Sequence, residues 1–200
     1  MKSKKEATRK LADYPSLFAE IRQPDSDYLL IPRHTSENRR YIPFGFLSKD
    51  KIIADSCSFI PDATPYDFGI MSSAMHMTWM RYICGRLEGR YRYSNTIVYN
   101  NFPWPEPTGS QKKRIEDKAQ AVLEARAKFT TSSLADLYDP NTMPPALLKT
   151  HQELDKAVDS TYRKTTFKDE RSRIEFLFNL YQQITEPLFP KEKKKRRKEN

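Results

Sequence analysis

The chain of 200 residues carries a formal net charge of +9, with 38% hydrophobic and 12% aromatic residues. This composition supports one ordinary domain or two small ones and excludes a chain disordered throughout. No apolar stretch approaches the roughly 18 residues of a membrane span, and the basic start lacks the apolar segment of a secretory signal. Cys57 and Cys84 form no C-x-x-C, which indicates two buried, reduced thiols in the cytoplasm.

The positive charge is concentrated at the two ends of the chain. Residues 1–10 hold five Lys/Arg against one Glu, residues 191–200 hold seven against two, and residues 11–190 are formally neutral. The basic tail either binds phosphate without sequence preference or is a solvated, disordered end, and we expect disorder. Within the neutral body, residues 33–51 and 81–92 each keep a local excess of +3, so the overall charge says little about partners.

The first half of the chain alternates short apolar runs with prolines and polar turns. Residues 1–15 are expected to hold a short polar helix and a linker from an upstream domain. Strands are predicted, in chain order, over residues 28–33, 40–44, 52–60 and 91–99. Pro32 would end the first strand at a sheet edge. A helix is predicted from the Thr64-Pro65 cap to about Cys84, with Gly85 as its C′ residue.

A proline-rich linker, Asn101–Pro107, divides the chain, because three prolines in five residues cannot continue a helix or a central strand. Its Phe102 and Trp104 are expected to dock on the helical part beyond it. In that part, apolar residues recur at helical spacing around residues 115–129, 147–162 and 174–184, and a short capped turn is predicted over residues 132–140. We predict an α+β fold in which a mixed α/β domain, residues 16–107, precedes an α-helical bundle, residues 108–190.

The sequence shows no signature of catalysis. The three histidines, His34, His76 and His151, have no metal-ligand spacing, and there is no P-loop or G-x-S-x-G motif. The five glycines form no cofactor-binding loop. Because His151 lies on an apolar helix face, we expect a hydrogen-bonded core histidine there. We therefore assign no catalytic residue, metal ligand or cofactor to this chain.

Acidic and basic residues alternate with tyrosines on the glycine-flanked stretch Gly85–Ser94. Glu88 and Arg90 are two residues apart, so an extended backbone would project both on one side. A carboxylate accepts from cytosine N4 and a guanidinium donates to guanine O6 and N7, so this pair can read a C·G base pair, at about 1–3 kcal/mol for a good contact. Arg33 and Asp55 would form a second pair if their strands adjoin. The alternative is two surface salt bridges worth about 0–1 kcal/mol.

Several longer motifs stand in order along the chain. They are Leu29–Arg33, Ser36–Phe46, Phe68–Met80, Gly85–Ser94, Val98–Glu106, Leu134–Pro140, Met143–Pro145 and Asp155–Tyr162. Together they resemble the C-terminal part of the MmeI family of type IIL restriction–modification enzymes, over residues 16–185. The resemblance implies a target-recognition domain that lies in the major groove of double-stranded DNA, followed by helices that brace it and add backbone contacts.

The resemblance also implies which residues contact DNA. The implied base-reading residues are Glu88, Arg90, Arg33, Asp55, Arg92 and Ser56. The two basic segments supply the expected contacts to the DNA backbone, which are Arg39, Arg40, Lys49, Lys51 and Arg86.

The family's catalytic and cofactor motifs lie upstream of the matched region. S-adenosylmethionine, adenine-N6 methyl transfer and Mg²⁺-dependent cleavage are thus implied only for a parent enzyme. The expected partners are double-stranded DNA and an upstream methyltransferase domain or a separate catalytic subunit, in the cytoplasm and without a membrane. Two alternatives stay open: a scaffold domain that holds a catalytic subunit through exposed aromatic residues, and a free-standing nuclease or methyltransferase.

Overall fold

A computed structural model describes residues 4–14, 16 and 22–186, which form helices around two small antiparallel sheets. Helices α1 to α7 span Glu6–Leu11, Pro65–Met71, Ala74–Ile83, Gly109–Ala127, Leu134–Leu137, Pro145–Tyr162 and Glu170–Thr185. Strands β1 to β6 span Tyr28–Pro32, His34–Thr35, Gly45–Leu47, Cys57–Pro61, Gly85–Leu87 and Arg90–Arg92. Among the described helices, none is long and apolar enough to cross a membrane. The basic tail, residues 191–200, lies outside the described residues.

The first sheet has the strand order β3-β1-β4, so β1 is its central strand. Leu30 pairs with Gly45 on one side and with Phe59 on the other. The prediction that this strand ends at Pro32 is confirmed, but its expected place at a sheet edge is wrong. Pro32 is tolerated because the β1–β3 pairing stops at Leu30, so that Pro32 pairs only with Cys57.

The second sheet has the order β2-β6-β5 and contains a hairpin. Strands β5 and β6 turn at Glu88 and Gly89, which places Leu87 opposite Arg90. The N–H of Tyr93 donates to the carbonyl of Arg33 at 2.8 Å. Because Arg33 joins β1 to β2, this bond holds the hairpin beside the first sheet.

Of three further predicted strands, one does not form and two are shorter than predicted. Residues 40–44 form no strand, because Pro43 has no N–H for a ladder and the flanking side chains are buried in the core. Of residues 52–60, only the last four belong to a strand, which follows a turn. After β6 the chain forms a π-helix, Asn95–Tyr99, and the Asn101 amide donates to two of its carbonyls at 2.8 and 3.1 Å.

The predicted helix from Thr64 to Cys84 is two helices. The cap is confirmed, since Thr64 and Asp67 form a capping box and Pro65 opens α2. The helix is interrupted at Ser73, whose side chain donates to the carbonyl of Ile70 at 2.6 Å and caps α3. Gly85 follows the C-cap Cys84 and so occupies the predicted C′ position, but its φ is not positive and it begins β5 instead of a left-handed cap.

The two cysteines lie at the ends of elements and are half-buried rather than buried. Cys57 begins β4, and Cys84 follows α3. Both are free thiols. Burial raises the pKa of Cys84, which lowers the fraction of its reactive thiolate.

The hydrophobic core continues across the proline-rich linker. A Cβ at Gly69 of α2 would lie 2.7 Å from Ile115 Cγ2 of α4, so these helices touch through the glycine. Phe102 packs on α3, with its ring centroid 4.6 Å from that of His76. The ring also contacts Trp79 of α3, and the expected docking of Phe102 on the helical part stays a prediction. The linker contacts the helices at two other points, because the hydroxyl of Tyr162 donates to the Pro103 carbonyl at 3.0 Å and that of Tyr181 to Asn101 Oδ1 at 3.5 Å.

A buried polar chain also joins the two parts. Arg126 of α4 donates to the carbonyl of Phe44 and to the hydroxyl of Tyr138, both at 2.6 Å. That hydroxyl contacts Nε2 of His151 at 2.6 Å. The prediction of a hydrogen-bonded core histidine is thus confirmed, and burial lowers the pKa of His151 to about 3.

Asp155 of α6 makes a second buried polar connection. Its carboxylate accepts from the Tyr41 hydroxyl at 2.6 Å and from the backbone N–H of Ala74 at 2.7 Å. Burial raises the pKa of Asp155 to about 6, against the opposing effect of these two donors. One carboxyl therefore fixes both the loop before β3 and the first turn of α3.

Candidate nucleic-acid interface

Glu88 and Arg90 meet at the tip of the hairpin. Arg90 Nη2 lies 2.8 Å from Glu88 Oε2, and the side chains are 54% and 76% exposed respectively. The expected extended backbone at Glu88 is wrong, because Leu87 and Arg90 pair across a two-residue turn and Glu88 has a φ of 55°. The turn nevertheless brings both side chains together in solvent.

The exposure of this pair determines what it can do. An ion pair in water contributes about 0–1 kcal/mol to stability, so the fold does not depend on it. Its unoccupied carboxylate oxygen can accept a hydrogen bond, and the guanidinium keeps further donors. The pair thus offers an acceptor and several donors side by side, the combination that matches the major-groove edge of a C·G pair.

The structure brings Arg33 beside Ser56. The N–H of Arg33 donates to the Ser56 carbonyl at 3.0 Å, so the two runs adjoin as expected. The guanidinium, however, donates from Nε to Ser58 Oγ at 3.1 Å. In the part of the chain described, Arg33 forms no ion pair with Asp55, which occupies the exposed turn before β4. Sequence reasoning missed Ser58, because this contact depends on the register of β4 against β1.

Arg92 extends the exposed side of the hairpin. It pairs with His34 of β2 and Gly85 of β5, and the residue between Arg90 and Arg92, Tyr91, is buried. Alternation along β6 therefore directs Arg90 and Arg92 to one exposed face. The bond between Tyr93 and the Arg33 carbonyl places this face next to the segment that contains Ser56.

Two of the expected backbone contacts are engaged within the protein. The Arg86 guanidinium lies 4.0 Å from the ring centroid of Tyr91 and donates to the Gly89 carbonyl at 3.1 Å. Arg39 is half-buried and donates at 3.4 Å to the Ala135 carbonyl. Both guanidiniums therefore support local structure, Arg86 the hairpin turn and Arg39 the contact with the helical part.

The other three expected backbone contacts are exposed: Arg40, Lys49 and Lys51. The loop that carries the lysines is fixed by its main chain, since the Gln23 amide donates to the carbonyls of Lys49 and Lys51 at 2.7 and 2.9 Å. The Tyr28 hydroxyl donates to the Lys51 carbonyl as well. Their ammonium groups thus project from a braced loop.

Two further residues shape this surface. Arg81 donates to the carbonyls of Arg39 and Arg40 at 3.3 and 3.0 Å and forms a 2.7 Å ion pair with Glu170. The basic segment contained Arg81, but its partners required the fold. The carboxylate of Glu37 approaches the turn so closely that a Cβ at position 89 would lie 3.0 Å from its oxygen. No sequence signal marked Glu37.

The described residues show one cavity with basic side chains and no cluster of potential metal ligands. A cavity of about 270 Å³ lies between α3 and α7, and three arginines, Arg40, Arg81 and Arg173, line it beside Glu170. Two of these arginines are ion-paired, Arg81 with Glu170 at 2.7 Å and Arg173 with Asp159 at 2.6 Å. Within residues 4–14, 16 and 22–186, no three His, Cys, Asp or Glu side chains come together as metal ligands.

Comparison with known proteins gives consistent matches. Residues 1–106 match the family described as "MmeI, target recognition domain", and residues 108–189 match "MmeI, C-terminal domain". DNA methyltransferase A of Bacillus subtilis (strain 168) is 40% identical over 185 residues, which are 92% of this chain and 21% of that protein. A structure of the type IIL restriction-modification enzyme MmeI in complex with DNA shares 52% identity, with a TM-score of 0.87, over 92% of this chain and 25% of that one. The chain thus spans a quarter or less of either protein.

Proposed function

Since the chain belongs to the MmeI family through its target recognition and C-terminal domains, we propose that it reads the sequence of double-stranded DNA in the major groove. The observation that carries this proposal is the exposed Glu88–Arg90 ion pair, 2.8 Å apart at the hairpin tip. In this proposal the tip faces DNA, and a specific donor on a base offsets the repulsion between the DNA phosphates and the Glu88 carboxylate. The amino group of cytosine is such a donor, and Arg90 reads the guanine paired with it.

The neighbouring residues extend the proposed reading surface. Arg92 shares the exposed face of β6, and Arg33, Asp55 and Ser56 lie beside it through the bond between Arg33 and Ser56. Arg40, Lys49 and Lys51 are the proposed phosphate contacts, which set affinity and its salt dependence without selecting a sequence. Arg39 and Arg86 contribute less directly, because their guanidiniums already bind protein groups.

We place the chemistry of the parent enzyme outside this chain. Its relatives include a DNA methyltransferase and a restriction-modification enzyme, each several times longer than the matched region. Adenine-N6 methyl transfer with S-adenosylmethionine, and cleavage with Mg²⁺, would take place in an upstream domain of the same polypeptide or in a separate catalytic subunit in the cytoplasm. By this proposal the chain alone is not an enzyme.

The function is tested by selection from randomised DNA duplexes, followed by sequencing of the bound fraction. The 200-residue chain is expected to enrich a motif that contains a C·G pair at one position. In the charge-exchanged variant Glu88→Lys/Arg90→Asp, the preference at that position is expected to change while the others remain, since phosphate contacts are untouched.

The matched control exchanges another exposed ion pair, Arg171 and Glu175 on α7, which are 2.8 Å apart. The variant Arg171→Glu/Glu175→Arg is expected to select the wild-type motif. The role of Glu88 and Arg90 is refuted if their exchange also leaves the motif unchanged. Failure of the wild-type chain to enrich any motif would refute sequence reading itself.

A further inference from the structure

Leu87 lies on the exposed side of the hairpin although its side chain is apolar. It is 46% exposed and stands directly opposite Arg90. Directly opposed residues of an antiparallel pair point to the same face, with Cβ atoms about 4.5–5.5 Å apart. Leu87 is therefore the apolar neighbour of Arg90 on the face that also carries Arg92.

The packing of the hairpin does not use Leu87. The hairpin contributes Tyr91 to the core, and the core formed by the described residues does not include Leu87. A single exposed leucine is ordinary on a protein surface. What distinguishes Leu87 is its position, because it adjoins both members of the Glu88–Arg90 pair along and across the hairpin.

We propose that Leu87 reads the 5-methyl group of a thymine close to the base pair read by Glu88 and Arg90, an inference that rests on the proposed function. Thymine presents a methyl group in the major groove, and apolar side chains contact it there. Successive bases are about 3.4 Å apart along the helix axis. A side chain about 5 Å from Arg90 therefore reaches the adjacent base pair or the one beyond it.

The same contact discriminates against other bases. Leucine has no hydrogen-bond donor or acceptor, so against guanine O6 or cytosine N4 it would remove water from a polar group without replacing the bond. Against a thymine methyl it buries apolar surface on both sides. Leu87 thus adds selection by shape and hydration to the hydrogen bonds of its neighbours.

The test removes single methyl groups from the DNA. Each thymine of the selected duplex is replaced in turn by uracil, and the Kd of the 200-residue chain is measured by fluorescence anisotropy. At one thymine within two base pairs of the C·G position, the replacement is expected to weaken binding about fourfold, which corresponds to about 0.8 kcal/mol for one buried methyl. In Leu87→Ala the same replacement should change the Kd by less than about 1.5-fold.

Two further variants complete the design. Leu87→Asn introduces a polar group and is expected to change the base that is selected at the thymine position. Ile184→Ala truncates a side chain of similar exposure on α7, 53%, and should keep the fourfold effect. The proposal is overturned if no thymine near the C·G position shows the effect, or if Leu87→Ala retains it. Absence of any selected motif would instead defeat the proposed function.

Discussion

Glu88 occupies a backbone conformation that most side chains avoid. Its φ of 55° lies in the left-handed region, which costs an ordinary residue roughly 1 kcal/mol relative to glycine or asparagine. The adjacent glycine, Gly89, does not have a positive φ, and its missing side chain leaves room for the carboxylate of Glu37. The residue proposed to read DNA is thus held in a strained turn.

This strain predicts that Glu88→Asn is more stable than a variant that removes the ion pair alone, while under the proposed function it impairs reading. Its free energy of unfolding should exceed that of Arg90→Gln by up to about 1 kcal/mol, since both variants remove the ion pair but only the first relieves the turn. Urea denaturation measures the difference. Equal stabilities of the two variants would show that the turn is unstrained.

At the residue scale, side-chain chemistry predicted contacts between residues that are close together in the sequence. Glu88 and Arg90 were predicted to act together because they are neighbours along the chain, and their side chains do meet, at 2.8 Å, while their role in base reading stays a prediction. The Ser58 partner of Arg33 and the contact of Glu37 with Gly89 were not found, because each joins segments more than 20 residues apart. Such contacts depend on strand register and loop path, which short-range patterns do not encode.

At the element scale, Gly69 sets the approach of α2 to α4. We predict that Gly69→Ala lowers the free energy of unfolding by about 1–3 kcal/mol, because the new methyl would overlap Ile115 Cγ2 and press on Ala119. The measurement is again urea denaturation. Gly109→Ala is the control, since no described atom lies within 4 Å of a Cβ there, and it should be neutral or stabilising.

A second substitution tests whether steric overlap causes the loss of stability in Gly69→Ala. Ile115→Leu removes the branched methyl that the new Cβ at position 69 would meet, so the double variant should regain part of the lost stability. A double variant as unstable as the sum of the single ones would contradict this explanation.

The long helices were predictable and the strands largely were not. Apolar residues at helical spacing identified α4, α6 and α7, because each buries apolar residues on one face, although α7 buries only Ile174 and Leu177. Strands of two to five residues carry little periodicity. The apolar residues around Pro43 resembled a strand but are buried as an irregular segment, held by the Arg126 bond to the Phe44 carbonyl.

At the scale of the whole molecule, buried titratable groups set the response to pH. Burial lowers the pKa of His76 and of His151 to about 3. Because the unfolded chain binds these protons near pH 6.5, the stability from the histidines is present above that pH and is lost as the pH falls. Asp155 acts in the opposite sense, since its pKa is raised to about 6.

We predict that Asp155→Asn makes the protein more sensitive to acid. The wild-type carboxyl holds a proton that the unfolded chain releases near pH 4, so its contribution is full below that pH and is lost as the pH rises through about 6. Between pH 6.5 and pH 4, the free energy of unfolding of the variant should fall by up to about 3 kcal/mol more than that of the wild type. Urea titrations across this range measure it. Parallel pH profiles would show that Asp155 does not titrate in this window.

The tip of the hairpin lies outside the hydrophobic core. Residues 85–90 are all exposed, and the core of the described residues draws only Tyr91 and Tyr93 from the segment around them. Under the proposed function, new charges at the tip would therefore change the base pair that is read at little cost in folding stability. Under that proposal, related proteins with this fold could evolve a new DNA target by replacing Glu88 and Arg90, because the stability of the fold depends little on these two side chains.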